Sequence, residues 1–272
     1  LLQREQWKSL LNECGFNDVG YFHCSPNDDE AEQSVFISFA PQQSEQSSQS
    51  CEPETENGCY VLFADQSGVA RKVANSLRKR GHRAIMLNSG RIVSEQGVDE
   101  FAISATSKAD LADVLSETIT QDQPLHGIIH CWSLDHPAAQ QLSTEMLAKC
   151  QLTGVLSILK LAQSLTEIPF ESPPRVYIVT RGTQHVVDQD MVDGIASSPL
   201  IGIARVANNE HPQFRWTTVD LANEPTTHEV DDLVDELLSG DNELEVAYRD
   251  ELRYGNRLRA RRIQDIAKRT VN

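Results

Sequence analysis

The sequence predicts an α/β fold in which a mostly parallel sheet carries helices on both faces. From residue 59 onward, short apolar runs alternate with amphipathic segments that have the length of helices. The apolar runs are rich in β-branched residues and lack the polar alternation of a half-exposed strand, as expected for strands buried on both faces. The run VYIVT at residues 176–180 is the clearest example, and it lies at the centre of the predicted fold.

Residues 1–40 predict a small element made of one helix and a hairpin. Apolar residues recur at helical spacing at Trp7, Leu10, Leu11 and Cys14. Gly15 is placed to end this helix. Residues 19–23 and 34–39 then predict two strands joined across an acidic loop. Because two strands and one helix cannot bury a core alone, we expect this element to dock on another part of the protein.

A Gln-, Ser- and Glu-rich segment separates this element from the rest of the chain. Residues 41–58 contain almost no apolar side chain, which is typical of a flexible linker. The predicted organisation is therefore residues 1–40, a linker at 41–58, the α/β domain at 59–260 and a basic connector at 261–272. Because the sequence starts without Met and in mid-pattern, we expect it to be part of a larger protein.

The α/β domain predicts strands and helices in a regular alternation. Strands are expected at residues 60–63, 83–87, 100–103, 125–131, 175–180, 214–220, 244–248 and 252–258. Helices are expected at residues 67–80, 108–120, 138–165, from 197 onward, and 229–238. Such an alternation predicts right-handed crossovers and a doubly wound sheet.

Composition excludes several classes of partner. The net charge of −16 argues against nucleic acid or an anionic membrane as the partner of this protein.

Six scattered cysteines without a CxxC pair indicate a reduced, cytoplasmic protein, and no signal peptide or membrane span is visible. Cys51 and Cys59 bracket the end of the polar segment and could pair if oxidised. The histidines show no spacing typical of metal ligands, since His126 and His130 fall on a strand.

The first predicted strand–helix turn is the natural place for a dinucleotide pyrophosphate, which needs glycines for close backbone approach. The turn ADQSGVA has Gly68 alone where three glycines are wanted, and Asp65 would place negative charge beside the phosphates. At the end of the second strand, Arg91 could face a ribose 2′-phosphate, but one arginine in a polar loop is a weak signal. The sequence therefore predicts a turn that no longer binds a cofactor.

No catalytic set is apparent either. His130 and Cys131 are adjacent on a strand, so they point to opposite faces and cannot readily act as base and nucleophile. Trp132 is expected to cap the sheet edge. A short-chain reductase needs Ser, Tyr and Lys around the central strand and the next helix, yet no tyrosine lies between Tyr177 and Tyr248. We therefore predict no catalytic, cofactor-binding or metal-binding residue in this chain.

A series of motifs nevertheless carries a resemblance. In order they are HCWSLD (130–135), VYIVTRGTQ (176–184), SPLIGIARV (198–206), EHP (210–212), VDL (219–221), EVAYR (245–249) and RY…RL (253–258). Over residues 58–260 the chain closely resembles the structural, or pseudo-ketoreductase, subdomain of modular polyketide synthases. Related segments occur in animal-type fatty acid synthases.

This resemblance implies a truncated Rossmann-like fold of the short-chain dehydrogenase/reductase type that has lost its cofactor and catalytic residues. It implies a subdomain that packs on and stabilises a catalytic ketoreductase half, which binds NADPH and reduces β-ketoacyl chains held on an acyl carrier protein. In this family the catalytic half follows the arginine-rich end, sometimes after an inserted enoylreductase. No functional residue carries over to this sequence, and the acyl carrier protein is expected as an indirect partner. Residues 1–40 are similar to the C-terminal end of a C-methyltransferase domain.

Two alternatives remain open at this point. A free-standing NAD(P)-dependent short-chain reductase with a divergent site would show measurable nucleotide binding, against which the single Gly68 argues. An acidic protein-interaction module would bind a basic partner in a strongly salt-dependent way.

Overall fold

The computed structural model describes residues 4–14, 16–23, 34–39, 57–90, 94–97, 99–118 and 124–258. The chain divides into two units, Leu1–Glu52 and Pro53–Asn272. The predicted linker at residues 41–58 lies outside the described residues except at its last two positions, and the predicted connector at 261–272 lies outside them entirely.

The first unit is the predicted helix and hairpin. Helix α1 spans Arg4–Glu13, and strands β1 (Asn17–His23) and β2 (Ser34–Phe39) pair antiparallel. The Trp7 ring lies 6.5 Å from the ring of Phe36, measured between centroids. Trp7 itself stays 43% exposed, which indicates how little apolar surface the element covers.

In the part of the chain that the structure describes, the second unit has nine strands and six α-helices. The strands are β3 (Cys59–Ala64), β4 (Arg83–Ser89), β5 (Ser94–Gly97), β6 (Glu100–Ile103), β7 (Leu125–His130), β8 (Arg175–Arg181), β9 (Trp216–Leu221), β10 (Glu245–Arg249) and β11 (Leu252–Gly255). The helices are α2 (Val69–Lys79), α3 (Lys108–Thr118), α4 (Thr144–Gln151), α5 (Ser157–Leu165), α6 (Pro199–Glu210) and α7 (Glu229–Leu238).

The sheet is doubly wound, as predicted. Its strand order is β11-β10-β9-β8-β7-β3-β4-β6-β5, and the seven strands from β10 to β6 are parallel. After β6 the chain crosses to the other side of β3 and continues outward from β7. The switch point between β3 and β7 is where doubly wound folds place a crevice at the carboxyl ends of the strands.

Two apolar cores hold helices against the two faces of this sheet. Successive residues along a strand point to opposite faces of the sheet. Val61, Phe63 and Leu87 pack on the face that carries α3, α5 and α6. Leu62 and Met86 pack on the face that carries α2 and α7. The predicted helical stretch at 138–165 is α4 and α5 joined by a π-helical segment at Leu152–Leu156, after a short 3₁₀ turn. The face that carries α3, α5 and α6 has the larger apolar core.

The two edges of the sheet differ from the expected all-parallel series. The polar tetrapeptide of β5 gave no strand pattern, yet it pairs antiparallel with β6. The last strand, expected at 252–258, is shorter and antiparallel to β10. Its two-residue turn, Asp250 and Glu251, has positive φ at both positions, the geometry of a tight hairpin. A connection this short cannot cross over to a parallel strand.

Candidate functional site

The carboxyl ends of the parallel strands are the place where this architecture holds ligands. Four groups of side chains meet at this edge in the described residues. They are the Asp65 turn before α2, the aromatic residues after β7, the half-buried imidazole of His136 near α6, and an Arg–Asp network beyond β8 and β9.

The Asp65 carboxylate occupies the start of α2. It accepts hydrogen bonds from the backbone N–H groups of Val69, at 3.0 Å, and Ala70, at 2.7 Å, and from the Ser67 hydroxyl. The adjacent N–H of Gln66 donates to Asp135 Oδ1 at 2.8 Å. The first-turn donors that would receive a phosphate in a nucleotide-binding turn are therefore engaged by the chain's own carboxylates. A dinucleotide pyrophosphate does not fit this donor set.

The electrostatics of the turn point the same way. Burial raises the pKa of Asp135 above its usual value, and the Asp65 carboxylate adds to this, against the lowering effect of the Gln66 N–H. The two carboxyl groups thus already oppose each other's charge at the helix start. A further anion here would meet net repulsion rather than the attraction of a free helix N-terminus.

The crevice between the strand ends is filled by Trp132. Its indole is 1% exposed, packs edge-on against Phe63 with ring centroids 4.8 Å apart, and donates from Nε1 to the Leu87 carbonyl at 3.2 Å. The sequence predicted an edge cap; the structure instead places Trp132 inside the core, at the carboxyl ends of β3, β4 and β7. Arg91, weighed for a ribose phosphate, lies outside the described residues.

His130 and Cys131 point to opposite faces of the sheet, as predicted. His130 Nε2 lies 2.8 Å from the Ser157 hydroxyl, whereas Cys131 packs in the core on the α2 side. Burial raises the pKa of the Cys131 thiol well above its usual value and lowers that of His130 to about 3. A thiol that stays protonated and an imidazole that stays neutral on the far face form no nucleophile–base pair.

A hydroxyl–imidazole group near α6 was not found by sequence reasoning. His136 Nδ1 lies 2.8 Å from Ser197 Oγ, and Nε2 lies 3.1 Å from Thr153 Oγ1 in the π-helical segment. The pair has the spacing of a serine and its base, but Ser197 is 2% exposed and the third partner is a hydroxyl rather than a carboxylate. Burial lowers the pKa of His136 to about 4. The arrangement joins three segments, and its serine is almost fully buried, unlike a nucleophile that is open to substrate.

The second unpredicted group is an Arg–Asp network beyond the ends of β8, β9 and β10. Arg249, 4% exposed, donates from Nη2 to Asp220 Oδ2 at 2.6 Å and from Nε to Asp190 Oδ2 at 2.9 Å. Asp220 Oδ1 accepts from the hydroxyls of Thr180 and Thr183 at 2.7 and 2.6 Å. The strand end at which a reductase would present a catalytic hydroxyl is thus turned into an internal hydrogen-bond network.

The described residues contain neither a metal-binding cluster nor a membrane-spanning helix. Within the described residues, no three His, Cys, Asp or Glu side chains are grouped so that they could hold a metal ion. None of the helices described here combines the length and apolar character needed to cross a bilayer.

Together, the 3-2-1-4-5-6-7 order of the parallel strands and the crevice at their switch point define a Rossmann-type α/β domain of the short-chain dehydrogenase/reductase kind. Comparison with known families makes this specific, because residues 69–258 match the model described as "Polyketide synthase extender module SpnB, Rossmann fold domain". The chain belongs to this family of polyketide synthase Rossmann domains.

Individual relatives are large synthases of which this chain spans only a small part. It is 41% identical over 104 residues to a mycocerosic acid synthase-like polyketide synthase of Mycolicibacterium smegmatis, covering 38% of this chain and 5% of that protein. It is 30% identical over 168 residues to polyketide synthase GfsA of Streptomyces halstedii, covering 62% of this chain and 2% of that protein.

Solved structures show the same fold at low identity. A C2-type ketoreductase from a modular polyketide synthase aligns with a TM-score of 0.56 and 21% identity over 76% of this chain and 42% of that one. A multidomain structure with adenylation, ketoreductase and pseudo-Asub parts aligns with a TM-score of 0.66 and 17% identity, covering 92% of this chain and 19% of that one. These likenesses show that this chain shares the fold of the ketoreductase parts of those structures.

Proposed function

We propose that this chain is the non-catalytic structural subdomain of a polyketide synthase module, which packs on and stabilises an NADPH-dependent ketoreductase half acting on carrier-bound β-ketoacyl chains. The observation that carries the proposal is the Asp65 cap. The N–H groups of Val69 and Ala70 that a bound dinucleotide would need already bond to this carboxylate, at 3.0 and 2.7 Å. NADPH would then be bound by the partner half and not by this chain.

The surface that would pair with the catalytic half lies on three helical segments: the π-helical segment, α5, which continues it, and α6. The π-helical segment and α5 pack against α6 on one face of the sheet. Leu152, Leu159 and Val206 on these segments are 45%, 41% and 52% exposed. At Gly202, one turn before Val206, a Cβ would meet no atom within 4 Å outside the adjacent residues and the backbone of its own helix, so α6 is uncovered there.

Burying such side chains would favour association. Fully burying an exposed apolar side chain contributes about 1.5–3 kcal/mol, and these half-buried side chains would contribute about half of that each. A bare helix backbone also allows a partner helix to approach closely. These residues form the proposed pairing face, defined by Leu152, Leu159, Gly202 and Val206.

The test compares the catalytic half alone with the catalytic half co-expressed with this chain. We expect the pair to co-purify, to unfold at a higher temperature and to reduce a β-ketoacyl thioester with NADPH faster than the catalytic half alone. Replacing Leu152 and Val206 by Ser should abolish co-purification, while Met146→Ser, an exposed change on α4, should not. Equal stability and activity of the catalytic half alone would refute the proposal.

NADPH binding by this chain is the second arm of the test. We expect calorimetric titration to show no saturable binding up to about millimolar cofactor, the weak end of the affinity scale. Saturable micromolar binding would instead revive the reductase alternative and would mean that the Asp65 carboxylate yields to phosphate.

A further inference from the structure

Residues 183–193, between β8 and α6, form a closed Ω-loop that none of the functions above uses. Its ends meet at the hydrogen bond from the Gly194 N–H to the Gly182 carbonyl, which is 2.9 Å long. The two ends pass so closely that a Cβ on Gly194 would lie 2.2 Å from the Arg181 carbonyl oxygen. Compact loops with closed ends are frequently functional.

This loop is held from several directions. Arg249 binds Asp190, and the same carboxylate accepts from the backbone N–H of Val186 at 2.8 Å. Burial alone would raise the pKa of Asp190, but the N–H groups of Val186 and Val187 and the Arg249 guanidinium lower it overall. At the far end, Gln140 Nε2 donates to Asp193 Oδ1 at 2.8 Å. A buried guanidinium costs desolvation free energy, so the fold spends stability on a fixed loop shape.

The fixed loop exposes apolar side chains. Met191 is 63% exposed, Val192 38%, and Ile195, just after the loop, 49%. Asn223 Nδ2 donates to the Met191 carbonyl and so fixes the backbone beneath the exposed side chain. Rigid display of apolar side chains lowers the entropy lost when a partner binds, which is the usual benefit of preorganisation.

A cavity of about 390 Å³ lies beside Met191, between the loop and the residues that follow β9 and β10. Val187 and Ala222 contribute apolar wall, and Glu224 and Asp250 line it with carboxylates. We refer to Met191, Val192, Glu224 and Asp250 as the Met191 surface.

The charge around this cavity is negative. Glu224 and Asp250 are exposed, and in the part of the chain described here neither of them has an ion-pair partner. Arg249 also lines the cavity, but it is already bound to Asp190 and Asp220. A ligand that complements this surface must therefore bring positive charge together with apolar surface.

We propose that the Met191 surface docks a basic protein segment, placing an apolar side chain against Met191 and Lys or Arg side chains on Glu224 and Asp250. The exposed Val192 and Ile195 extend the apolar contact past the cavity, which a polypeptide would cover and a small polycation would not. This docking is independent of the pairing face on α5 and α6.

The probe is a short synthetic peptide of alternating Leu and Lys residues, titrated into the full chain by calorimetry and by two-dimensional NMR. We expect saturable binding, with shifts confined to the loop and to residues 222–224 and 249–250. Met191→Ser should weaken the affinity about tenfold, the effect of losing one buried apolar side chain. Replacing Glu224 by Gln and Asp250 by Asn together should weaken it several-fold and flatten its dependence on salt.

Matched controls separate this surface from general attraction to an acidic protein. Met146→Ser and Asp113→Asn, both at exposed positions elsewhere, should leave the peptide affinity unchanged. Equal weakening by these control variants, equal binding of a control peptide of alternating Leu and Glu residues, or equal shifts with the small polycation spermine would each overturn the proposal. Because Leu152 and Val206 lie outside the Met191 surface, their Ser variants should bind the peptide normally even if pairing with the ketoreductase is lost.

Discussion

Asp65 Oδ1 lies 2.7 Å from the backbone nitrogen of Ala70, inside the first turn of α2. A carboxylate from the same chain thus takes the position and the charge that a phosphate has at the corresponding turn of a nucleotide-binding domain. The N–H donors of Val69 and Ala70 thus stabilise the start of α2 itself. Trp132 closes the neighbouring space with an apolar side chain.

Removing the cap should therefore destabilise the chain. Asp65→Ala leaves the N–H groups of Val69 and Ala70 without their acceptor and should lower the free energy of unfolding by about 1–2 kcal/mol. Urea denaturation followed by circular dichroism measures this. Asp113→Ala, an exposed acidic position on α3, is the matched control and should change stability by less than about 0.5 kcal/mol. Equal effects of the two changes would contradict the role of Asp65.

Disrupting the buried Arg249–Asp220 network should lower the free energy of unfolding by more than removing Asp65 does. Arg249→Leu strands Asp220, which is 2% exposed, without its guanidinium partner, and should cost about 3–5 kcal/mol in urea denaturation. Arg71, whose side chain is 54% exposed beside Glu100, provides the comparison. Arg71→Leu should cost no more than about 1 kcal/mol, as for other surface ion pairs. A small effect of Arg249→Leu would show that Asp220 is stabilised mainly by the hydroxyls of Thr180 and Thr183.

A structural feature can be predicted from the sequence when the residues that form it lie close together along the chain. The buried strands are predicted by local apolar runs. The poor suitability of the turn around Gly68 for a pyrophosphate is likewise predicted by the residues of that turn. The acidic residue Asp65 was visible too, but only the backbone geometry shows that its carboxylate bonds to the helix it precedes.

Features built from distant residues could not be found in this way. Arg249 lies 59 residues from Asp190 and 29 from Asp220, and no local pattern links them. The sequence does show an Asp near the end of the apolar strand β9 and an Arg at the end of β10. Because charged residues inside buried strands need partners, these two residues were the only local indication of the network. Strand β5 was missed because its polar residues pair through backbone groups, which any sequence supplies.

Acidification should destabilise the chain through His130 and His136. Burial lowers the pKa of His130 to about 3, and that of His136 to about 4, from an ordinary value of 6.5. At a pH between the ordinary value of 6.5 and the folded-state pKa, the unfolded chain binds protons that the folded chain does not. The free energy of unfolding therefore falls as the pH drops below 6.5, and it continues to fall until the pH reaches the folded-state pKa. Each group contributes a slope of up to about 1.4 kcal/mol per pH unit.

The measurement is urea denaturation in a series of buffers from neutral to mildly acidic pH. His136→Asn removes one titrating group and should reduce the slope. An unchanged slope in His136→Asn would mean that His136 is protonated in the folded chain near its ordinary pKa.

Two glycines predict substitutions of opposite sign. Gly182 has φ +58°, and a Cβ there would lie 1.6 Å from Asn223 Oδ1, so Gly182→Ala should destabilise the chain by at least about 1–2 kcal/mol and loosen the Ω-loop. Gly202 lies within α6 with open space around it, so Gly202→Ala should stabilise the isolated chain by up to about 1 kcal/mol.

The second change also tests the proposed pairing face, because its two expected effects differ in sign. If a partner helix covers the bare backbone at Gly202, the added methyl group stabilises this chain alone but weakens its association with the ketoreductase half. Thermal unfolding of the isolated chain and co-purification with the catalytic half measure the two effects separately. Stabilisation with unchanged pairing would place the contact away from Gly202, on the surface around Leu152 and Leu159. Loss of stability in the isolated chain would instead show that α6 requires the glycine for its own packing.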